Sequence, residues 1–268
     1  MTIKEPPRGY TDPAAVQKLA KASMKDVFKI LSEKPTFWHI VAGATIASFV
    51  GYGVAQFTTS FLVRTHGLSL ETAAILFGVI IGLMAALGVF MSGYLADQMA
   101  TRHPRALCWM PALGMGLSVP LYALGYLAPT VWLALPPLMA AATLHYFYLG
   151  PMYAIVGGVV DSRMRATSVA VTLFIVNLLG YGLGPPLIGV LSTVLKSVFL
   201  GGNDFGMTLE TCKVVTDLSA EAAATCANAN SEGLRWSIIA FCSLYGWAAI
   251  HYLLAGKTLV RDMMAKEL

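Results

Sequence analysis

Long apolar runs separated by short polar stretches dominate the chain from Phe37 onward. Six of these runs have roughly the 20 residues that an α-helix needs to cross a bilayer. We place the predicted spans at residues 37–63, 73–96, 106–128, 131–159, 167–198 and 235–256. The connections between them are short, except for a hydrophilic stretch at residues 199–233, which we predict to be an outer loop. The pattern therefore predicts an all-α integral membrane protein with six transmembrane helices.

The first 36 residues follow a different pattern, which predicts a tail and then a surface helix. Asp12 before Pro13 is typical of a helix start, and apolar residues recur at helical spacing as far as Leu31, with lysines on the other faces. A basic amphipathic helix of this kind lies on an anionic membrane surface or packs on the protein's own cytoplasmic face; we expect a combination of the two. The predicted parts are the tail and surface helix at 1–36, the six-span bundle at 37–256 and a cytoplasmic tail at 257–268.

Composition and charge agree with a membrane protein and indicate its orientation. Hydrophobic residues make up 57% of the 268 residues and charged residues 12%, which is about half the charged fraction of an average soluble domain. Cytoplasmic loops carry an excess of Lys and Arg. With a cytoplasmic N-terminus, all but four of the 18 Lys and Arg lie on that side; the four are Arg64, Lys196, Lys213 and Arg235. We predict that both termini are cytoplasmic and that the membrane is a bacterial inner (plasma) membrane.

A motif lies between the second and third predicted spans. Gly93-Tyr94-Leu95-Ala96-Asp97, followed by Arg102 and Arg105, resembles the signature loop of major facilitator superfamily transporters, which connects the second and third helices of each half. The segment 61–69 is similar to the loop that opens the second half of many bacterial organic-solute facilitators. Residues 165–189 are similar to the eleventh helix of those proteins, and the group suggested is the Spinster-like branch.

This resemblance implies a specific architecture. Within each half of the superfamily, three spans and three more form an inverted 3+3 repeat. The superfamily normally has twelve spans, so this chain resembles helices seven to twelve with the linker between the halves attached. A Gly-x-x-x-Gly-Pro pattern also occurs in the fifth helix of some antiporters, so a first-half interpretation stays open. A half of this kind implies a second six-helix bundle as partner, either a separate chain or a second copy.

Polar residues inside the spans are candidates for a solute site, because each must face protein or water instead of lipid. Tyr52 and Gln56 share one face of the first span, Asn177 and Tyr181 share one face of the fifth, and His145 lies in the fourth. In the superfamily the equivalents of these spans line the central cavity. The resemblance therefore implies that these five residues contact a small organic or amphiphilic solute. The alternative is that the tyrosines form interfacial belts and that Asn177 bonds a neighbouring helix.

Two charged loops and one set of small residues have predicted conformational roles. A carboxylate at a helix end can meet the positive N-terminus of a neighbouring helix, in this family the eleventh, here beginning near Thr167. The candidate latch residues are Asp97, Arg102, Arg105, Asp161, Arg163 and Arg165. A plain topology signal explains these charges equally well.

Small residues let membrane helices approach closely. The candidate packing residues are Gly180, Gly184, Pro185 and Gly189.

The cysteines and the absence of enzyme motifs complete the prediction. Cys212 and Cys226 both fall in the predicted outer loop, so we expect a disulfide, with two free thiols as the alternative. No metal-ligand spacing, phosphate-binding loop or enzyme signature is present in the sequence, and we expect no metal, cofactor, nucleic-acid partner or enzymatic activity. The predicted function is solute transport by alternating access, as one half of a transporter in the lipid bilayer. The alternative is a non-transporting membrane module or truncated fragment that acts as an assembly subunit.

Overall fold

The computed structural model describes residues 23–201, 207–213 and 218–264, and within these ranges the regular structure is helical throughout. The helices are α1 (Met24–Ser32), α2 (Pro35–His66), α3 (Leu70–Ala100), α4 (Ala106–Leu127), α5 (Val131–His145 and Leu149–Gly158, joined by the 3₁₀ turn Tyr146–Tyr148), α6 (Ser162–Leu200) and α7 (Ala220–Met264). Short 3₁₀ segments also occur at Ser162–Met164, the start of α6, and at Thr211–Lys213.

Five of these helices (α2, α3, α4, α6 and α7) are long and apolar enough to cross a membrane. The predicted fourth span corresponds to α5, which the 3₁₀ turn divides into two shorter helices. Residues 220–233 of the predicted outer loop are helical and not irregular, since α7 already begins at Ala220. Six of the ten residues 220–229 are alanine, the strongest helix former, and this propensity outweighs the low hydropathy of the stretch. The predicted tail at 257–268 is likewise helical as far as Met264.

Within the described residues, the surface helix α1 starts at Met24. The proposed start at Asp12 and Pro13 lies outside the described residues. At Ser23 the backbone is extended, and its hydroxyl accepts a hydrogen bond from the backbone N–H of Asp26 while the Asp26 carboxylate accepts one from the Ser23 N–H. This capping box fixes the start of the helix, and the hydrogen bonds from Ser23 lower the pKa of the Asp26 carboxyl. Val27 and Leu31 are buried against the bundle.

The spans differ sharply in how much of their surface the bundle covers. Each of these helices contains an apolar stretch of 18 residues. The share of this stretch that is buried in the bundle is 50% in α2, 50% in α4 and 44% in α7. The corresponding values are only 17% for α3 and 28% for α6. Helices α2, α4 and α7 therefore form the core, and α3 and α6 leave most of their surface uncovered.

Helices α2 and α6 cross at a contact that only glycine permits. A Cβ atom added to Gly180 would lie 2.8 Å from the Cβ of Ser48, and one added to Gly184 would collide with the carbonyl oxygen of Phe49. Gly53 is the reciprocal residue on α2, where a Cβ atom would lie 2.9 Å from Ile188. Small residues at this crossing thus bring two backbones together.

Two other predicted packing residues lie beside this crossing and are less crowded. Pro185 is half-buried next to Gly184. A Cβ atom at Gly189 would meet the ring of Phe57 at 3.6 Å, an ordinary van der Waals distance. Of the four predicted packing residues, Gly180 and Gly184 therefore make the close contact.

The first and last spans are tied together at the end of the bundle where α2 begins. The residue preceding α2, Lys34, provides no side-chain cap. Instead, the buried Asp262 carboxylate of α7 accepts a hydrogen bond from the Thr36 backbone N–H at 3.0 Å, and Thr36 Oγ1 lies 2.7 Å from Thr258 Oγ1. Asp262 also pairs with the Nε of Arg261 at 3.2 Å. A carboxylate from another helix thus satisfies a backbone donor that a helix start leaves free.

A disulfide ties the segment before α7 to that helix. Cys212 and Cys226 are bonded, with their Cα atoms 5.6 Å apart. Together with Leu200, Met207 and Ala229 they belong to a small apolar cluster that is separate from the main core. The other two cysteines, Cys108 and Cys242, are buried free thiols.

Candidate solute-binding site

Four of the five predicted solute residues lie on the exposed surface of α2 and α6. The rings of Tyr52 and Tyr181 are neighbours, with centroids 4.5 Å apart and planes inclined by 58°. Gln56 follows Tyr52 by one helical turn, and Asn177 precedes Tyr181 by one turn; all four side chains are exposed. Because Gly180 and Gly184 bring the two helices together just behind them, the sequence folds so that these polar groups form one surface. We call Tyr52, Gln56, Asn177 and Tyr181 the polar face.

The part of α6 that carries Asn177 and Tyr181 is a π-helical stretch, Val176–Tyr181. Such stretches interrupt the regular hydrogen-bond ladder and are frequent at functional sites. The Nδ2 of Asn177 donates to the Leu173 carbonyl at 2.7 Å, which leaves its amide oxygen without a hydrogen-bond partner among the described residues. Helix α3 contains a second π-helical stretch, Gly78–Leu83. No feature of the sequence pattern distinguishes either stretch from regular helix.

His145 lies behind the polar face instead of on it. Its side chain is 2% exposed, its Nδ1 is 2.7 Å from the hydroxyl of Tyr122, and its ring stacks on that of Tyr245 with centroids 5.0 Å apart. Tyr122 and Tyr245 are site residues that the sequence analysis missed. The sequence gives one indication of such residues: a tyrosine hydroxyl in the middle of an apolar span needs a hydrogen-bond partner.

A small cavity of about 80 Å³ connects His145 to the polar face. Its lining includes Tyr52, Ser48, Tyr148 and Tyr146. The hydroxyls of Ser48 and Tyr148 are 3.1 Å apart and join α2 to α5 beside this cavity. The site therefore has two layers, an exposed polar face and a buried layer of hydroxyl and imidazole groups that supports it.

The predicted latch residues are not brought together. Asp97 lies exposed at the end of α3, and the described part of the chain gives it no ion pair or hydrogen bond. Asp161 lies 3.8 Å from its near neighbour Arg163, which is a local contact. The remaining three, Arg102, Arg105 and Arg165, are exposed. A latch between Asp97 and the start of α6 therefore remains a prediction.

Long apolar helices packed around a core are those of an integral membrane protein. The chain belongs to the Major Facilitator Superfamily, whose family description matches residues 1–185. Members of this superfamily are transporters, not enzymes.

Individual relatives agree with this assignment. The chain is 32% identical over 179 residues to an MFS-type efflux pump of Mycolicibacterium smegmatis, covering 67% of this chain and 41% of that protein. It is 26% identical over 227 residues to the protein spinster of Drosophila melanogaster, covering 78% of this chain and 36% of that protein.

A solved structure has the same fold. The crystal structure of a bacterial homolog of the human lysosomal transporter Spinster, inward-facing and unoccupied, matches with a TM-score of 0.82 and 36% identity, over 97% of this chain and 55% of that one. The chain thus spans about half the length, or less, of the relatives it matches.

Proposed function

We propose that this chain is one half of a transporter that moves a small organic or amphiphilic solute across the membrane by alternating access. The observation that carries this proposal is the polar face: Tyr52, Gln56, Asn177 and Tyr181 lie side by side on α2 and α6, exposed and without a charged neighbour among them. Such a surface offers hydrogen bonds and aromatic contact to a solute that has both polar and apolar parts. His145 and the buried hydroxyls behind it hold the face in position.

A second six-helix bundle, provided by another chain or another copy, is part of this proposal. An exposed Gln or Asn side chain at membrane depth is costly against lipid, so such residues face protein or a water-filled cavity. The two helices that carry the least covered surface, α3 and α6, are the natural contact surfaces for a partner. With a partner in place, the polar face would line a chamber between two bundles near the middle of the membrane.

We further propose that the bundle crosses the membrane six times, with the two parts of α5 completing the fourth crossing. The π-helical stretches fall in the second and fifth of these spans, which are corresponding positions in an inverted 3+3 repeat. The excess of Lys and Arg supports cytoplasmic termini, with α1 as an amphipathic cytoplasmic surface helix, and a bacterial inner membrane is the proposed location. The resemblance of segment 61–69 and of residues 165–189 supports a C-terminal half.

The latch belongs to the same mechanism. Asp97 lies in the last turn of α3 without a partner in the described residues, and the positive N-terminal end of α6 favours a nearby carboxylate. We propose that Asp97 meets the start of α6 when the cytoplasmic side closes, with Arg102 and Arg105 supporting the closed state. Asp161, Arg163 and Arg165 would hold the adjoining loop.

The experiment that tests this function is transport in vesicles, with this chain reconstituted together with a second bundle and a panel of organic solutes offered. Asn177→Ala should raise the half-saturating solute concentration about tenfold, because one polar contact of about 1.5 kcal/mol is lost and the solute binds more weakly. The matched control is Thr193→Ala. Thr193 is exposed on the same helix, and its side chain also bonds the carbonyl four residues earlier, but it lies about three turns beyond Tyr181, the nearest member of the polar face on α6.

The second variant separates the latch from the site. Asp97→Asn should change the maximal rate more than the solute affinity, because a latch acts on the equilibrium between states. Equal effects of Asn177→Ala and Thr193→Ala would contradict the polar face as the solute site. A lack of uptake of every solute by the assembled pair would favour the alternative, a non-transporting membrane module or fragment.

A further inference from the structure

The buried histidine of the site has one ring nitrogen that the fold leaves unbonded. The Nδ1 of His145 lies 2.7 Å from the hydroxyl of Tyr122, and no hydrogen bond joins its Nε2 to any of the described residues. The side chain is only 2% exposed, so bulk solvent does not cover this nitrogen. A buried polar atom without a hydrogen bond is costly, so Nε2 requires a partner that the described chain does not provide.

Nε2 faces the small cavity behind the polar face because α2 has a glycine there. A Cβ atom added to Gly51 would lie 3.7 Å from the Nε2 of His145 and 3.5 Å from the hydroxyl of Tyr245. Gly51 and His145 both line the cavity of about 80 Å³, and Tyr52 joins that cavity to the polar face. At about 30 Å³ for each water molecule, the cavity has room for a few waters or for one small end group of a larger molecule.

The cavity lining is polar and carries no acidic or basic side chain. Besides His145, its polar groups are the hydroxyls of Ser48, Tyr52, Tyr146 and Tyr148, and none of the lining residues is Asp, Glu, Lys or Arg. A carboxylate, phosphate or ammonium group would lose its hydration there without gaining an opposite charge, which is strongly unfavourable. A hydroxyl is uncharged and both donates and accepts, so it can bond Nε2 in either tautomer of the imidazole.

We propose that this cavity is an end-group subsite, which takes the terminal hydroxyl of an amphiphilic solute while the rest of the solute lies on the polar face. The hydroxyl bonds the Nε2 of His145 and takes the place of water in the cavity. The inference rests on the proposed function in one respect, that the occupant is the transported solute. Binding of a hydroxyl group in the cavity is a property of this chain alone. The subsite narrows the solute class to molecules with an uncharged, unbranched hydroxyl end.

The direct test uses two probes that differ in one end group, 1-octanol and nonane, each added to the full chain in lipid nanodiscs. Nitrogen NMR of labelled histidines follows the Nε2 of His145. This side chain is the buried one among the chain's histidines, so its signal is the one protected from a water-soluble paramagnetic reagent. 1-Octanol should shift this signal in a saturable way, because its hydroxyl bonds the nitrogen. Nonane, with a methyl group in place of the hydroxyl, should not shift it.

A matched pair of glycine variants separates the subsite from general effects of the probe. Gly51→Ala fills the space beside Nε2, and its new methyl group makes only ordinary van der Waals contacts, so the packing is kept. This variant should bind 1-octanol about tenfold more weakly, the loss expected for one net hydrogen bond. The control is Gly116→Ala on α4, where an added Cβ atom meets nothing within 4 Å, and it should bind 1-octanol as wild type does.

Three outcomes would overturn the subsite. An unshifted His145 signal in wild-type protein with 1-octanol would leave the cavity to water, whether or not a variant folds. An equal response to nonane would show that the hydroxyl is not recognised. Equal binding of 1-octanol by Gly51→Ala and Gly116→Ala would show that the probe binds elsewhere.

Transport distinguishes a failure of this inference from a failure of the proposed function. In vesicles that contain both bundles, Gly51→Ala should raise the half-saturating concentration of a hydroxyl-ended solute about tenfold and leave that of its deoxy analogue unchanged. Equal changes for the two solutes would overturn the role of the subsite in transport. No transport of any solute would contradict the proposed function, and the 1-octanol result would then still decide whether the subsite exists.

Discussion

The α2–α6 crossing gives the sharpest test of the fold, through the substitution Gly184→Ala. The added Cβ would collide with the backbone oxygen of Phe49 and would also lie 3.2 Å from the backbone nitrogen of Gly53. Neither backbone atom can rotate away as a flexible side chain would. The two helices must therefore separate, and their neighbouring contacts at Gly180 and Ile188 loosen with them.

The size of the effect follows from two opposing terms. Overpacking of a tight contact costs about 1–3 kcal/mol, and replacing Gly by Ala inside a helix returns at most about 1 kcal/mol. The net loss of unfolding free energy should be about 1–2 kcal/mol. For a chain of this size that corresponds to a decrease of about 2–8 °C in melting temperature.

Gly182→Ala is the matched control, since it makes the same chemical change on the same helix. A Cβ atom at Gly182 meets no heavy atom within 4 Å, so only the helix-propensity term remains. This variant should melt at the wild-type temperature or slightly above it. The pair of variants therefore isolates the contact from the general effect of removing a glycine.

The chain carries its own reporter for this measurement. Cys108 and Cys242 are buried free thiols, so a thiol-reactive fluorescent dye labels them only when the bundle opens. The fluorescence should rise at a lower temperature in Gly184→Ala than in Gly182→Ala. Equal melting curves for the two variants would show that α2 and α6 do not touch at this point in the folded protein.

Three further predictions follow from other contacts. Alkylation of unfolded, non-reduced protein should modify two of the four thiols, and replacing Cys212 and Cys226 by serine should lower the unfolding free energy by about 3 kcal/mol; modification of all four without reductant would exclude the disulfide. Asp262→Ala should cost about 1–2 kcal/mol through the lost cap on α2, and Asp262→Asn, which can still accept that bond, should cost less; an equal loss in both would argue against capping. In a background without other reactive thiols, Glu221→Cys should react with an impermeant label in intact cells and Thr101→Cys should not; the reverse result would invert the proposed orientation.

Hydropathy predicts much of this fold because a lipid environment imposes one requirement on every span. The backbone must satisfy its own hydrogen bonds, so an apolar run of sufficient length becomes a helix. This explains why the predicted spans at 37–63 and 106–128 correspond to helices α2 and α4. The rule does not predict the helix at residues 220–229, where alanine favours helix by propensity and the hydropathy is low.

The site was only partly predictable for a different reason. Tyr52, Gln56, Asn177 and Tyr181 are predicted as candidates because a polar side chain in a span needs an environment other than lipid. Which environment it receives depends on neighbouring helices, and a single sequence contains no pairing information. His145 therefore carried the same signal as Asn177, yet its span places it in the core, where it bonds the hydroxyl of Tyr122.

The contact between Asp262 and α2 shows the same limit. An aspartate near the chain end, beside Arg261, has the pattern of an exposed charged tail. Only the return of α7 to the start of α2 makes it a buried cap, 226 residues away from Thr36 in sequence. Neither hydropathy nor local helix signals detect such a partner.

These contacts also indicate which helices would move together in the proposed mechanism. Helix α2 is joined to α7 through Asp262, to α5 through the Ser48–Tyr148 hydroxyls and to α6 through the glycine crossing at Gly184. Close-packed contacts of this kind do not deform continuously, so the helices they join keep their relative positions. Tyr52 on α2 would then remain beside its partner ring on α6 throughout the cycle. If alternating access is by rocking, the distance that changes is the one between this polar face and the second bundle, and a solute bound to both would be released as that distance opens.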